Sequence, residues 1–330
     1  MREARQTAVP RRDEVSEALS APFPQGRNIR LLIAYDGTDF CGWQRQRNET
    51  GLSGSAVLPS STVLPSSTVL PSSTVLSSST VLSSSTVLSS STVPPGSGGS
   101  RSFTGSRSVQ GTIEAALEKM HRHRVVLTGA GRTDAGVHAA GQTANFYTSI
   151  GSIPPERFVP ALNNLLPPDI RILEARETRR DFHARFDAKS RTYRYQLICG
   201  RPALPHELRY GLFIRRRPRI GLLNDYGRLL LGERDCSLFA SSRDSGVSRF
   251  RYISRCGFFV QGDTLIFEIS ANAFLWKMVR SILGTLLFFE ERNLAPEVLA
   301  AALEQADHRL SGPTLPGQGL FLWKIDYYRN

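Results

Sequence analysis

Cysteine is scarce in this sequence, with 4 among 330 residues. None of them forms a CxxC pair, so the sequence lacks the spacing that structural zinc sites and disulfide-rich scaffolds need. His121 and His123 lie close together but have no candidate partner ligands nearby, and we expect both at the protein surface. The sequence therefore predicts reduced thiols and no metal site.

Long apolar runs are absent as well. No stretch approaches the ~18 consecutive apolar residues of a membrane-spanning helix. The first residues, MREARQTAVPRRDEVSEALS, are charged and contain no apolar core of the kind found in a secretory signal. We therefore expect a soluble, cytoplasmic protein with no membrane partner.

Acidic residues are the minority among the charged residues. Lys and Arg total 41 and Asp and Glu total 29, which gives a formal net charge of +12. A positive excess of this size favours a polyanionic partner, most often nucleic acid. A basic housekeeping protein with a basic tail has the same composition, so charge alone leaves both interpretations open.

Two segments have compositions that oppose stable folding. Residues 1–28 form a polar, partly basic tail, which we expect to be disordered. From Val57 to Val93 a valine recurs every six residues, in units VLPSST and VLSSST, and PPGSGGS follows. Hexapeptide repeats can build a β-helix, but these would give only about two coils, without turn glycines. We therefore predict a disordered, low-complexity insert over residues 49–105.

Hydrophobic periodicity predicts alternating strands and helices in the first half of the remaining chain. The predicted elements are a strand Ile29–Tyr35, a helix Val109–His121, strands Val125–Thr128 and Gly141–Thr148, a helix 154–165 and a strand Ile170–Ala175. The order strand, helix, strand, strand, helix, strand is that of a ferredoxin-like unit.

The second half of the chain also shows predicted strands and helices in alternation. The predicted elements are a strand Thr192–Cys199, a helix Leu222–Leu231, strands Arg249–Val260 and Thr264–Ser270, helices Leu275–Glu290 and Pro296–Gln305, and a strand Leu320–Tyr327. The predicted fold class is α+β, with two ferredoxin-like halves, residues 29–178 and 179–330, and a mostly antiparallel sheet.

The loop Gly131-Arg132-Thr133-Asp134-Ala135-Gly136 places a carboxylate near a guanidinium between two predicted strands. The flanking glycines permit unusual backbone angles and close approach of a ligand. A carboxylate that an arginine holds in its ionised form can act as a nucleophile or a base. A turn with a surface ion pair has the same composition, and the loop alone favours that structural interpretation.

Four segments, in chain order, carry a resemblance to a known family: YDGTDFCGWQRQ, GAGRTDAGVHA, DFHARFDAKSRTYRY and NAFLWKMVR. Together they resemble the tRNA pseudouridine synthase A family across nearly the whole chain outside the tail and the insert. The resemblance implies an enzyme that cleaves the N1–C1′ glycosidic bond of a uridine, turns the base and rejoins it through C5. It implies no cofactor and no metal.

The resemblance also implies roles for particular residues. Asp134 matches the catalytic aspartate, and Arg280 matches the arginine that pairs with it. Tyr193 matches an active-site tyrosine, whose ring can stack on uracil and whose oxygen can relay the C5 proton. Arg132 matches an arginine that helps to displace the target base from its stack. The chemical step that the aspartate performs stays open: attack at C1′, attack on the ring, or abstraction of a sugar proton.

Further residues are expected to contact the substrate or to join the two halves. Asn272 and Phe274 would shape the pocket, and Leu320, in Gly319-Leu320-Phe321, would pack against the uracil. Residues 181–186 would bridge the two halves and contact RNA. The resemblance places the active-site cleft between two RNP-like halves, and it implies a homodimer that modifies uridines 38 to 40 in the tRNA anticodon stem-loop.

The sequence departs from the family at the insert, because family members join Gln46 and Ser108 through a short loop. The entropy cost of closing a loop grows slowly with loop length, so we expect the enzyme to fold despite the insert. We expect its binding of tRNA to be altered. Three alternatives remain: a non-catalytic RNA-binding protein or tRNA chaperone, a synthase for other RNA positions, and a nucleoside glycosidase. The last usually needs two carboxylates, and this loop supplies one.

Overall fold

The computed structural model describes residues 26–44, 107–241, 244 and 248–328, which belong to one compact unit. The predicted insert, residues 49–105, lies outside these residues, and so does the predicted tail except for its last three residues. Arg27 and Asn28, assigned to the tail from the sequence, belong instead to the first strand.

The described residues form ten strands and five α-helices. The strands are β1 (Arg27–Tyr35), β2 (Thr128–Gly129), β3 (His138–Thr148), β4 (Ile170–Thr178), β5 (Ala188–Cys199), β6 (Leu212–Ile214), β7 (Gly232–Asp235), β8 (Phe250–Gln261), β9 (Thr264–Ala271) and β10 (Leu320–Tyr327). The helices are α1 (Val109–His121), α2 (Phe158–Leu165), α3 (Ile220–Leu229), α4 (Met278–Glu291) and α5 (Pro296–Gln305).

The strands form one sheet in the order β4-β1-β3-β10-β5-β9-β8-β7, with β2 beside β3 and β6 beside β5. Neighbouring strands are antiparallel except for the pairs β3–β10 and β5–β6. This architecture confirms the predicted α+β class and the mostly antiparallel sheet. The parallel β3–β10 contact joins strands of the two predicted halves, and it begins at His138, just after the Asp134 loop.

Alternating side chains explain the burial of β1. Ile29, Leu31 and Ile33 have no exposed surface, whereas the residues between them on the strand, such as Arg30, remain partly exposed. Helix α1 contributes Ile113 and Leu117, at i and i+4, to the same hydrophobic core. Each such side chain contributes about 1.5–3 kcal/mol when fully buried, so this face fixes the strand register that positions the site.

Most element boundaries differ from the sequence prediction by a few residues, and two of these differences have identifiable reasons. The strand predicted at Val125–Thr128 is limited to Thr128–Gly129. Leu127 instead uses its backbone groups to bond the side chains of helix α1, donating to Glu114 Oε1 and accepting from Gln110 Nε2. Helix α4 starts at Met278, because Lys277 has a left-handed backbone with φ of 59° that the helix cannot include.

The two histidines predicted at the surface have different environments. His121 is buried, with Nδ1 at 2.8 Å from the Leu117 carbonyl oxygen and Nε2 at 2.8 Å from Thr148 Oγ1, so that prediction was wrong for His121. His123 is exposed. All four cysteines are free, and no helix within the described ranges is long and apolar enough to cross a membrane.

Candidate active site

The loop between β2 and β3 is held from the strands on both sides. Ala130 N donates to the Thr143 carbonyl at 2.8 Å, and Gln142 Nε2 donates to the Gly131 carbonyl at 2.9 Å. The Tyr35 hydroxyl lies 2.8 Å from Thr133 Oγ1 inside the protein. These bonds fix the backbone on the N-terminal side of Asp134, so its carboxylate has a defined direction.

Gly42 and Trp43 also support this loop. Trp43 N donates to the Thr133 carbonyl at 3.1 Å. Gly42 has φ of 112°, and a Cβ there would lie 2.5 Å from the same oxygen, so the position requires glycine. Trp43 is only 3% exposed and packs against Gly129. The Trp43 ring therefore supports the loop by packing within its own domain.

Each carboxylate oxygen of Asp134 has its own donor. Arg280 Nη1 lies 3.0 Å from Oδ2, and the Trp276 indole Nε1 donates to Oδ1 at 3.0 Å. The side chains of Arg280 and Asp134 are 13% and 24% exposed, so the ion pair is largely shielded but still open to the cavity. Both donors stabilise negative charge on the carboxylate and fix its orientation.

Both hydrogen-bond donors to Asp134 come from the segment at the start of helix α4. Lys277, at φ of 59°, separates Trp276 from the helix, and Arg280 lies in its first turn. The Arg280 side chain also donates from Nε to the Leu315 carbonyl, which anchors it on the other side. A left-handed backbone at a non-glycine residue costs about 1–3 kcal/mol and persists where surrounding structure enforces it, often at functional sites. Here it turns the Trp276 indole toward the loop.

Tyr193 lies on β5 next to this ion pair. Its side chain is 9% exposed and packs edge-to-face against Phe274, with ring centres 5.2 Å apart. Burial raises the pKa of Tyr193 to about 12, with a further contribution from the Asp134 charge, and the Arg191 charge opposes the shift. The phenol is therefore protonated at neutral pH and can donate a hydrogen bond.

These groups surround a cavity of about 790 Å³ whose walls come from both predicted halves. Six of the predicted site residues line it: Arg132, Asp134, Tyr193, Phe274, Arg280 and Leu320. Arg132 is exposed, whereas Leu320 is buried at 4% exposure. The cavity therefore combines a carboxylate, two buried apolar or aromatic walls and an exposed cation.

Asn272 lies beside this cavity without lining it. Its side-chain oxygen accepts hydrogen bonds from Tyr252 N at 3.1 Å and from Ala273 N at 2.8 Å. This contact closes the end of the β8–β9 pair and shapes the backbone that leads to Phe274. A direct contact of Asn272 with substrate stays a prediction.

Sequence reasoning missed Trp276, although the residue lies within the segment NAFLWKMVR that it singled out. The available signal was its place four residues before Arg280, but a tryptophan there is equally typical of a hydrophobic core. His183, Arg185 and Phe186, from the segment 181–186, line the same cavity, and the bridging role and RNA contact of that segment stay predictions.

A polar network supports the C-terminal side of the loop. Burial would raise the pKa of Asp36, but hydrogen bonds from Thr38, Arg209 and Tyr210 outweigh it and lower the pKa to about 2. Gly37 N donates to His138 Nδ1, so His138 donates from Nε2 to the Gln318 carbonyl. Burial lowers the pKa of His138 despite the nearby Asp36 charge, and the ring is therefore neutral.

Among the described residues, no three His, Cys, Asp or Glu side chains come close enough together to hold a metal ion. Two carboxylates line the cavity: Asp134, paired with Arg280, and Asp244, whose oxygens accept hydrogen bonds from the backbone N–H groups of Ser241 and Trp276. Together with a neutral phenol, aromatic rings and arginines, they suit binding of an anionic, aromatic substrate and chemistry by a carboxylate.

Comparison with known proteins gives the same assignment as this geometry. A family model described as tRNA pseudouridine synthase matches residues 99–187 and 228–328. The chain is 42% identical to the tRNA pseudouridine synthase A of Treponema denticola, over 91% of this chain and 93% of that protein. The chain belongs to the tRNA pseudouridine synthase family. The resemblance inferred from the four sequence segments is confirmed.

Other relatives show how far the similarity to this family extends. The chain is 41% identical to tRNA pseudouridine synthase A of Treponema pallidum (strain Nichols), over 87% of this chain and 84% of the relative. It is 32% identical to the protein of the same name in Brachyspira hyodysenteriae, over 89% of this chain and 96% of the relative. The similarity therefore covers most of this chain and of each of these relatives.

Proposed function

We propose that this chain isomerises uridine to pseudouridine in tRNA and that Asp134 is the reacting carboxylate. The observation that supports this most is the arrangement of Asp134 between Arg280 and Trp276, at a cavity that also contains the neutral phenol of Tyr193. The family to which the chain belongs and the net charge of +12 agree with an RNA substrate.

The proposed reaction needs no external reagent. The N1–C1′ bond of uridine breaks, the base turns, a C5–C1′ bond forms, the C5 proton leaves and N1 gains a proton. Atoms and electrons therefore balance within the substrate and one protein carboxylate. Asp134, held by two donors, can attack the sugar or the ring, or remove a sugar proton, and the proposal covers all three.

The surrounding residues have distinct roles in this proposal. Tyr193 and Leu320 form walls against which the uracil ring can pack, and the Tyr193 hydroxyl can take part in moving the C5 proton. Phe274 holds the Tyr193 ring edge-on. Arg132, exposed at the cavity, can fill the gap that the extruded base leaves. Asn272 shapes the Phe274 segment.

The RNA-binding part of the proposal is more specific than the family assignment. We propose uridines 38 to 40 of the anticodon stem-loop as targets and a homodimer as the active assembly, as the sequence resemblance implies. The arginine-rich rim of the cavity, with Arg132 and Arg185, supports phosphate contact. Analytical ultracentrifugation of the full chain would test the dimer.

We also propose that each half is a ferredoxin-like unit with the cleft between them. The first half has the element order β1, α1, β2, β3, α2, β4, and its strands lie in the order β4-β1-β3-β2. Strands β10-β5-β9-β8 of the second half repeat the same spatial order, with α3 after β5 and α4 after β9. The cavity walls from both halves support the position of the cleft.

The activity is tested with an in vitro transcript of a tRNA that carries uridines at positions 38 to 40. The full chain is expected to form pseudouridine there, and none in a transcript with cytidine at those positions. Pseudouridine is located by carbodiimide labelling followed by primer extension, and any free uracil is measured by liquid chromatography. Pseudouridine at other positions would overturn the anticodon assignment, free uracil would indicate a glycosidase, and unchanged tRNA would indicate an RNA-binding protein without activity.

Trp276 provides a prediction that separates positioning from packing. Replacing Trp276→Phe removes the indole N–H while keeping an aromatic ring, so Asp134 Oδ1 loses its donor. We expect the single-turnover rate at saturating enzyme to fall about 10- to 100-fold. The KM for tRNA, measured in multiple turnover, should stay within about twofold, because Phe keeps an aromatic ring in the cavity wall.

Two further variants make this test specific. Trp276→His restores a ring N–H and is expected to recover part of the lost rate. Trp323→Phe, at a tryptophan that is 37% exposed and stacks on Arg194, is the matched control and should retain full activity. Equal losses in the Phe and His variants, or a loss confined to KM, would contradict a positioning role.

A further inference from the structure

A second cavity lies next to the candidate active site and shares Phe186 with it. Its volume is about 260 Å³. Since a water molecule occupies about 30 Å³ of liquid, the cavity has room for roughly eight waters, or for a phosphate group with its attached sugar. The two cavities therefore have one aromatic side chain in common.

Arg30 lines this second cavity from strand β1. Its guanidinium carbon lies 4.5 Å from the centre of the Tyr327 ring and 5.7 Å from that of Phe182. Within residues 26–44, 107–241, 244 and 248–328, the Arg30 side chain forms no hydrogen bond and no ion pair. A guanidinium that is stacked on a ring face keeps its in-plane N–H donors available, so Arg30 is arranged to bind an anion.

The other charges at this cavity largely offset one another. Arg179 lies 3.3 Å from an Asp181 oxygen and 3.4 Å from an Asp187 oxygen. Asp187 Oδ2 also accepts a hydrogen bond from His183 N at 3.1 Å. The carboxylate in the wall is therefore already engaged, and Arg30 supplies the available positive charge.

Aromatic rings complete the site. Tyr328 lines the cavity and is 69% exposed, with the Lys189 ammonium 5.4 Å from its ring centre. Phe186 is stacked on His183 at 4.2 Å between ring centres. Exposed rings beside cations are typical of sites that bind single-stranded nucleic acid, because bases stack on the rings while phosphates contact the cations.

We propose that this second cavity binds a nucleotide of the RNA strand next to the target uridine, with its phosphate on Arg30 and its base against Tyr328. The inference rests on the proposed function, because it takes the anion to be part of the tRNA substrate. Phe186 then separates the flanking nucleotide from the uridine in the main cavity. Free inorganic phosphate has the same chemistry, and the experiment distinguishes the two sources.

The test compares the full chain with Arg30→Gln and Arg30→Lys. Because Gln removes the charge, we expect the Kd for tRNA to rise about five- to tenfold and the log–log salt slope to lose about 0.7 in magnitude. Lys keeps the positive charge but lacks the planar guanidinium group. We therefore expect Arg30→Lys to leave the salt slope unchanged and to raise the Kd less than Arg30→Gln does. Arg228→Gln, at an exposed arginine on α3 paired with Asp225, is the matched control and should change neither quantity.

Three outcomes would overturn the subsite. The first is an Arg30→Gln variant that matches Arg228→Gln in Kd and salt slope. The second is a weaker Kd with an unchanged salt slope, which would indicate general structural loss, and thermal unfolding of each variant identifies that case. The third is that inorganic phosphate binds the parent chain but not Arg30→Gln, with sodium chloride of equal ionic strength as the reference, while both chains bind tRNA equally well.

Failure of the proposed activity has a different signature. A parent chain that makes no pseudouridine but binds tRNA through Arg30 would refute the activity and support the subsite. A parent chain that makes pseudouridine, with tRNA binding independent of Arg30, would support the activity and refute the subsite.

Discussion

Replacing Asp134→Asn is expected to abolish pseudouridine formation, with a loss of at least about 10⁴-fold in the single-turnover rate. The amide has nearly the size of the carboxylate but cannot act as a nucleophile or a base. Its NH₂ group would also face the Arg280 or the Trp276 donor, because each carboxylate oxygen of Asp134 accepts from one of them. The measurement is pseudouridine per tRNA at saturating enzyme, followed over hours.

The structure allows the loss of activity in Asp134→Asn to be distinguished from unfolding and from weak tRNA binding. Asp134 is 24% exposed and its loop backbone is fixed by Tyr35, Gln142 and Trp43, so the variant should fold and bind tRNA within a few-fold of the parent. Asp225→Asn removes the same charge at an exposed helix position and should keep full activity. Residual activity of Asp134→Asn near that of the parent would refute the role of this carboxylate.

Several elements could be predicted from the sequence because their signals are local. Helix α5 begins with Pro296 and strand β10 is rich in aromatic and aliphatic residues, and both have the bounds that the sequence predicts. The Asp134–Arg280 pair was also predicted, but through family resemblance. The two residues are 146 positions apart, and periodicity gives no information about such a contact.

The parts that could not be predicted depend on tertiary structure. The start of helix α4 is set by the left-handed backbone of Lys277, which opposes the helical preference of the residue. Trp276 reaches Asp134 across 142 positions only because of that turn. The role of Arg30 depends on stacking against Tyr327, from the last strand of the sheet. Strand pattern alone marks Arg30 only as a solvent-facing residue.

Removing Arg280 is expected to have the second largest effect. Arg280→Ala takes away the cation at 3.0 Å from Asp134 Oδ2 and the donor to the Leu315 carbonyl. We expect the single-turnover rate to fall about 10²- to 10³-fold, as for loss of one preorganised charged donor. The free energy of unfolding should fall by about 1–3 kcal/mol, because the Leu315 carbonyl loses a partner in a mostly buried position.

Chemical rescue separates the electrostatic role of Arg280 from its structural one. The cavity left by Arg280→Ala adjoins the main cavity, so millimolar guanidinium should enter it, pair with Asp134 and recover part of the rate. Sodium chloride at the same ionic strength should recover none. Arg255→Ala removes an exposed arginine from its ion pair with Glu268 and should neither lose activity nor respond to guanidinium. If guanidinium recovers no activity in Arg280→Ala, and Arg280→Lys, which keeps the positive charge, is as inactive as Arg280→Ala, the charge beside Asp134 does not account for the loss and Arg280 acts by supporting the fold.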